Sequence, residues 1–281
     1  MFNQVTILGP GLLGASLAKA IRKESLANSI RIWARRKTTL DSCIREKWCD
    51  HIEEDLIKSV HKSNLIIICT PVDSITEIIT KIAPIMEQGA LLTDVGSVKE
   101  LICQVAKEAF AQSSGKFIGS HPMAGSEKSG MKFAHENLFQ GRSCIVSKLD
   151  DQDKQEVEVI SNFWEKIGMS VYELSPHEHD QAISFFSHLP HFLSSTLAKS
   201  LDQKPDKWKN ISGMGLKDTT RIAEGDPELW KQIFLMNKDN ILQAVEEWER
   251  SLNEIKLYLK DSNNEKIYTF LKDGMNFRKK L

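Results

Sequence analysis

Apolar positions along the chain fall into two regimes. Through residue 174, short apolar runs alternate with amphipathic stretches. Gln4–Leu8 reads as a strand and Leu12–Ser25 as a helix. "SIRIWARRK" predicts a second strand that ends near Ala34. "NLIIICTPV" (Asn64–Val72) is apolar almost throughout, as in a parallel strand covered on both faces. Ser74–Ala83 reads as a helix, "ALLTDVGS" as a strand, Lys99–Phe110 as a helix and "KFIGSHPM" as a further strand. "RSCIVSK" and "MSVYELS" are strand-like and flank a helix over Lys154–Ile167. Such alternation predicts a parallel sheet with helices on both faces.

The regime changes at "SPHE". Ser175 is placed to cap a helix, Pro176 to open it and Glu178 to close a capping box. Helical periodicity dominates from there. Asp226 and Pro227 open another helix, and "NKDNILQAVEEWERSLNEIKLYLK" is a long amphipathic one. The predicted organisation is an α/β domain over residues 1–174 and an all-α domain over 175–281.

One helix in the second half has an unusual polar face. In "HDQAISFFSHLPHFLSSTLA" (His179–Ala198), Asp180, Ser184, Ser187, His188, His191 and Ser195 share one arc at about 100° per residue. Apolar residues, among them Phe185, Phe186 and Leu189, fill the other. A solvated face would carry Lys and Glu; this one suits the wall of a polar cavity. Pro190 is expected to kink the helix or free a carbonyl. His177, His179, Asp180, His188 and His191 lack the HExxH spacing, and no cysteine joins them, so no metal is expected.

Composition narrows the function classes. A chain of 281 residues has room for two domains. Its net charge of −1 argues against nucleic acid or an anionic membrane as partner. No apolar run approaches the roughly 20 residues of a membrane span. Five cysteines without a CxxC pair point to a reducing, cytoplasmic compartment.

Gly9, Gly11 and Gly14 form a GxGxxG turn between the first strand and the first helix. The first glycine allows the tight turn, the second the approach of a pyrophosphate, and the third close packing of helix on strand. The N–H groups around Leu12 and Leu13, at the helix start, attract phosphate. The strand–turn–helix setting predicts a Rossmann-type dinucleotide site. An acid at the end of the second strand would read a ribose hydroxyl, but "WARRKTT" has none there. Arg35 and Arg36 could instead pair with a 2′-phosphate, which favours NADP over NAD. Thr70, Pro71 and Val72, at the end of the next strand, would line the same crevice. "GSHPMAGSEKSG" and "SGMGLKDTTRIAEGDPELW" are dense in glycine and polar groups, as loops of an active site are.

Taken together, "GPGLLGASLA", "CTPV", "TDVGSVK", "GSHPMAGSEKSG", "HDQAISFFSHLPH" and "DTTRIAEGDPELW" resemble the prephenate and arogenate dehydrogenases in content and order. The resemblance implies a Rossmann domain followed by a helical dimerisation domain, and a homodimer made through the C-terminal helices. It also implies a small-molecule substrate: a cyclohexadienol that loses hydride from C4 to NAD(P), then carbon dioxide, and becomes aromatic. His121 would accept the proton of the ring hydroxyl, and Ser97 would hold that hydroxyl. Arg221, supported by Asp218, would bind the side-chain carboxylate. His191 and Ser187 would line the pocket, with Glu127 near its entrance and Trp230 close by. Two other readings are a β-hydroxyacid dehydrogenase and a nucleotide sensor without catalysis. The first normally carries a lysine on the interdomain helix, where this chain has His188 and His191; the second has no need of His121, Ser97 and Arg221 together.

Overall fold

Strand β1, Phe2–Leu8, buries its last four residues at the middle of a six-stranded sheet. The computed structural model describes residues 1–125, 128–149 and 154–281. Helix α1 (Leu12–Lys23) follows, then β2 (Ala27–Trp33), α2 (Lys37–Cys43), β3 (His51–Glu53), α3 (Leu56–Ser59) and β4 (Leu65–Ile68). Next come α4 (Val72–Ile82), β5 (Leu91–Asp94), α5 (Glu100–Phe110) and β6 (Lys116–Phe117). The strand order is β3-β2-β1-β4-β5-β6, and neighbours run parallel. All four residues of β4 are buried, as its unbroken apolar run predicts. The order reverses between β1 and β4, which opens a crevice at their carboxyl ends.

"KFIGSHPM" is not one strand. The ladder between β5 and β6 continues to the Ile118 N–H, which donates to Leu92 O at 2.9 Å. The next donor in register, the Ser120 N–H, goes instead to the Asp94 carboxylate at 3.1 Å. The chain therefore leaves the sheet and starts β7 (Gly119–Pro122). It pairs antiparallel with β8 (Ser143–Ser147), which runs parallel to β9 (Ser170–Glu173). So "RSCIVSK" and "MSVYELS" form a second, three-stranded sheet and do not extend the first. Helix α6 (Lys154–Lys166) packs behind it, and the Trp164 indole N–H donates to Ser120 Oγ at 3.0 Å.

The remaining described chain is helical. The Ser175 capping box is formed in both directions and starts α7 (Pro176–Ile183). A π-helical turn, Ser184–His188, separates α7 from α8 (Leu189–Asp202). Pro190 has no N–H to give the preceding turn, and the helix re-registers there. Each residue of a π turn advances less around the axis than in an α-helix, so the predicted polar arc slips. Ser194 is buried where Ser195 was expected, and Phe186, placed on the apolar arc, is 68% exposed. Helices α9 (Met214–Thr220), α10 (Pro227–Met236), α11 (Lys238–Lys260) and α12 (Asn264–Arg278) complete the chain. Ile233 of α10 joins the apolar cluster of α4 and α5, and Gln232 donates to Asp73 at 2.9 Å.

Candidate active site

The glycine turn is built by backbone contact. Gly9 has φ of +99°, and its N–H donates to Trp33 O at 2.9 Å. A Cβ on Gly9 would lie 3.0 Å from the Cys69 carbonyl and from Thr70 Cγ2. A Cβ on Gly14 would lie 2.2 Å from Gly9 O. Gly11 differs, because nothing lies within 4 Å of its Cβ position. The first turn of α1 carries no acidic residue, and Gly11 is its N-cap. Two glycines are thus closed by packing and one faces open space, which fits a pyrophosphate over the helix start. Leu12 and Leu13 stand in that first turn. Thr70 and Val72 flank Pro71 beside it, and Thr70 Oγ1 is buried with no hydrogen-bond partner among the described residues.

Arg35 and Arg36 are exposed after β2, and Arg36 is the N-cap of α2. Lys37 pairs with Glu54 at 3.2 Å. Both residues follow the end of β2, where the Trp33 carbonyl accepts the Gly9 N–H.

Beyond β5, buried polar groups join in series. Asp94 receives Lys99 Nζ at 2.5 Å and the Gly96 N–H at 2.8 Å, and both side chains of that ion pair are fully buried. Ser97 lies half-buried in the same turn. His121, on β7, is 7% exposed and contacts His179 Nε2 through its Nδ1 at 2.8 Å. His179 Nδ1 lies 2.7 Å from Asp180 Oδ1. Asp180 also accepts the Lys99 and Glu100 N–H groups at 2.7 and 2.9 Å, capping α5 from another helix. Asn237 donates to Asp180 O at 2.8 Å and lies 3.2 Å from His188 Nδ1.

The cluster continues through Trp230. The His191 ring stacks on it at 3.6 Å, and His188 meets it edge-on. His188 Nε2, His191 Nδ1 and Ser194 Oγ are buried polar atoms with no hydrogen-bond partner among the described residues, as expected of a wall that waits for a polar ligand. Gly225 brings the turn Arg221–Glu224 over these rings: a Cβ there would lie 2.6 Å from Trp230 Nε1 and 3.1 Å from His191 Cε1. Arg221 itself is exposed, as is Asp218 one turn earlier on α9, and Ser187 is half-buried in the π turn. Glu127 lies outside the described residues. Sequence reasoning weighed His179 only as a metal ligand, and gave Lys99 and Asn237 no role. Among the described residues no group of three or more His, Cys, Asp or Glu side chains is arranged to hold a metal.

Burial holds His121 well below its ordinary value and lowers His179 despite its bond to Asp180. Burial also pushes His188 down to about 4. Burial alone would raise the Asp180 carboxyl, but bonds from His179, Glu100 and Lys99 outweigh it and hold that carboxyl low. The three rings are therefore neutral in the fold at neutral pH. An unfolded histidine takes up a proton near about 6.5. Below that pH the unfolded chain binds more protons, so stability falls with pH, by up to about 1.4 kcal/mol per unit for each ring. Urea unfolding should give a constant free energy above about pH 7 and a steep loss from about 6.5 to 5. His188→Gln should flatten that slope.

Two family models match most of the chain. The nucleotide-binding domain of prephenate dehydrogenase matches residues 17–173, and the dimerization domain of prephenate dehydrogenase matches 175–273. Prephenate dehydrogenase of Bacillus subtilis is 31% identical over 99% of this chain and 76% of its own. The crystal structure of A. aeolicus prephenate dehydrogenase in complex with hydroxyphenyl propionate and NAD+ is 30% identical. It superposes with a TM-score of 0.92 over 100% of this chain and 98% of that one. Arogenate dehydrogenase of Synechocystis, 26% identical, gives 0.86 over 99% of both chains. On these matches, together with the glycine turn and the helical second half, the chain belongs to the prephenate dehydrogenase family.

Proposed function

We propose that this chain oxidises prephenate, arogenate or both, with loss of carbon dioxide, and so supplies the last aromatising reaction of tyrosine biosynthesis. The observation that carries this reading is His121: a buried, neutral imidazole beyond the carboxyl end of β5, with one nitrogen bound to His179 and the other left for a ligand. The nicotinamide of NAD(P), when bound, accepts a hydride. Gly9, Gly11, Leu12, Leu13 and Gly14 hold its pyrophosphate, with Thr70, Pro71 and Val72 beside them. His121 takes the proton of the ring hydroxyl, and Ser97 orients that hydroxyl. Arg221 binds the side-chain carboxylate with support from Asp218, and His191, Ser187 and Trp230 line the pocket. Loss of carbon dioxide makes the ring aromatic and drives the reaction.

Arg35 and Arg36 support a preference for NADP, since a 2′-phosphate gains charge-assisted bonds there. A homodimer through the last helices is supported by exposed apolar surface: Leu257 is 54%, Leu271 62% and Phe277 52% exposed, and no residue of α12 is buried. A helix of that length is marginal in water without a surface to pack on. Five free cysteines support a cytoplasmic setting.

Purified protein is assayed with prephenate and arogenate, each with NADP and NAD, by the absorbance of the reduced nicotinamide. Turnover is expected with at least one substrate, with kcat/KM for NADP about tenfold above that for NAD. No turnover in all four mixtures overturns the assignment, and a preference for NAD overturns the role given to Arg35 and Arg36.

A further inference from the structure

We propose that His179 and Asp180 form a proton wire with His121, which fixes His121 as a base at Nε2 and carries away the charge formed there. The inference rests on the reading of His121 as the base. Its direction follows from the bonding. The Asp180 carboxylate accepts two main-chain N–H groups at the start of α5, a setting that favours the anion. An ionised carboxylate only accepts, so His179 Nδ1 carries a proton. His179 is fully buried, and a neutral ring protonated at Nδ1 is bare at Nε2. That bare nitrogen lies 2.8 Å from His121 Nδ1, which must therefore donate. His121 Nε2 is then left with its lone pair. Each link admits one orientation, so Asp180 specifies the tautomer of a ring two bonds away. A histidine free of such partners favours the opposite tautomer, which could not accept a proton at Nε2.

The same wire moves charge. When Nε2 of His121 takes the hydroxyl proton, the ring becomes a cation in a buried place. His121 Nδ1 can then release its proton to His179 Nε2. One proton has entered the pair and one has shifted within it; no electrons are exchanged. The cation now sits on the ring bonded to Asp180; the reverse transfer, followed by return of the Nε2 proton to the ring oxygen as carbon dioxide leaves, restores both residues. The surroundings favour that direction. His121 faces Lys99 and His188 besides His179. His179 faces Lys99 as well, but also the carboxylates of Asp180 and Asp94. Lys99 is itself paired with Asp94. His179 and Asp180 are thus positioning residues for His121.

Full-length wild type, His121→Asn, His179→Leu and His179→Gln are compared with prephenate or arogenate, whichever the four mixtures identify. His179→Leu is expected to lower kcat about a hundredfold, with KM within about threefold. In His179→Gln the amide oxygen can accept from His121 Nδ1 while its NH2 donates to Asp180. That variant should recover kcat to within about tenfold, and the acid limb of its pH profile should move to lower pH, because Gln cannot take the proton. Nitrogen-15 NMR of the wild-type imidazoles, read without substrate, should show His121 Nε2 unprotonated at neutral pH. A protonated Nε2 overturns the wire. So does wild-type kcat and pH profile in His179→Leu while His121→Asn is inactive. Full turnover in His121→Asn instead removes the base itself. Should His179→Leu not fold, His179→Gln and the NMR measurement decide the question alone.

Discussion

His121→Asn is expected to lower kcat about a thousandfold while KM stays within about threefold. Asparagine is close in polarity and smaller in volume, so the buried strand β7 keeps its pairing with β8. Its amide can still donate to His179 Nε2, which His121 Nδ1 now occupies. What it lacks is a nitrogen with a free lone pair for the hydroxyl proton. Loss of a positioned base removes factors of about a hundred to ten thousand, which brackets the figure. Substrate affinity should hold, because the carboxylate contact is assigned to Arg221 on a different element. The measurement is steady-state kinetics in the mixture that turns over best, beside thermal unfolding to show that the fold survives. A kcat within tenfold of wild type sinks the assignment, because so small a loss is less than a base contributes.

How much of this was legible in the sequence depends on the reach of each interaction. The Ser175 box and the Asp226 cap are local: their partners lie within a few residues, and both were read correctly. The unbroken apolar run of β4 announces its burial without reference to any neighbour. The split of "KFIGSHPM" was not legible. It turns on the Asp94 side chain taking the Ser120 N–H across 26 residues, and hydrophobic pattern carries no trace of that. The edge strand β3 and the short helices α2 and α3 escaped because three to seven residues are too few to show a period. The polar arc of His179–Ala198 was legible in kind but slipped in phase, since a π turn breaks the period on which the reading rests. His179 was hidden for a different reason. Its two partners are its neighbour Asp180 and a histidine 58 residues earlier, and only the fold joins them. An adjacent His-Asp pair opening the stretch His179–Ala198, which has no other Asp, Glu, Lys or Arg, was the available signal.

The glycines of the first turn should separate when substituted. Gly14→Ala puts a methyl 2.2 Å from Gly9 O, and that contact is backbone on both sides. Gly9 cannot retreat toward β4, because its own Cβ position already meets the Cys69 carbonyl at 3.0 Å. Helix α1 must therefore move outward, taking its first N–H groups with it. Overpacking of this kind costs about 1–3 kcal/mol in stability, so the unfolding midpoint should drop by several degrees. NADPH affinity, read by fluorescence titration, should fall about a hundredfold, since 1.4 kcal/mol is tenfold in binding. Gly11→Ala meets nothing within 4 Å, so the unfolding midpoint should not move beyond the small cost or gain of an alanine at a helix start. Its methyl would nonetheless stand in the space assigned to the pyrophosphate, and NADPH affinity should fall about tenfold or more. One variant thus loses stability and affinity together, and the other loses affinity alone. Unchanged NADPH binding in Gly11→Ala would mean that the open space over the start of α1 is not where the phosphates lie, however well Gly9 and Gly14 are packed beneath it.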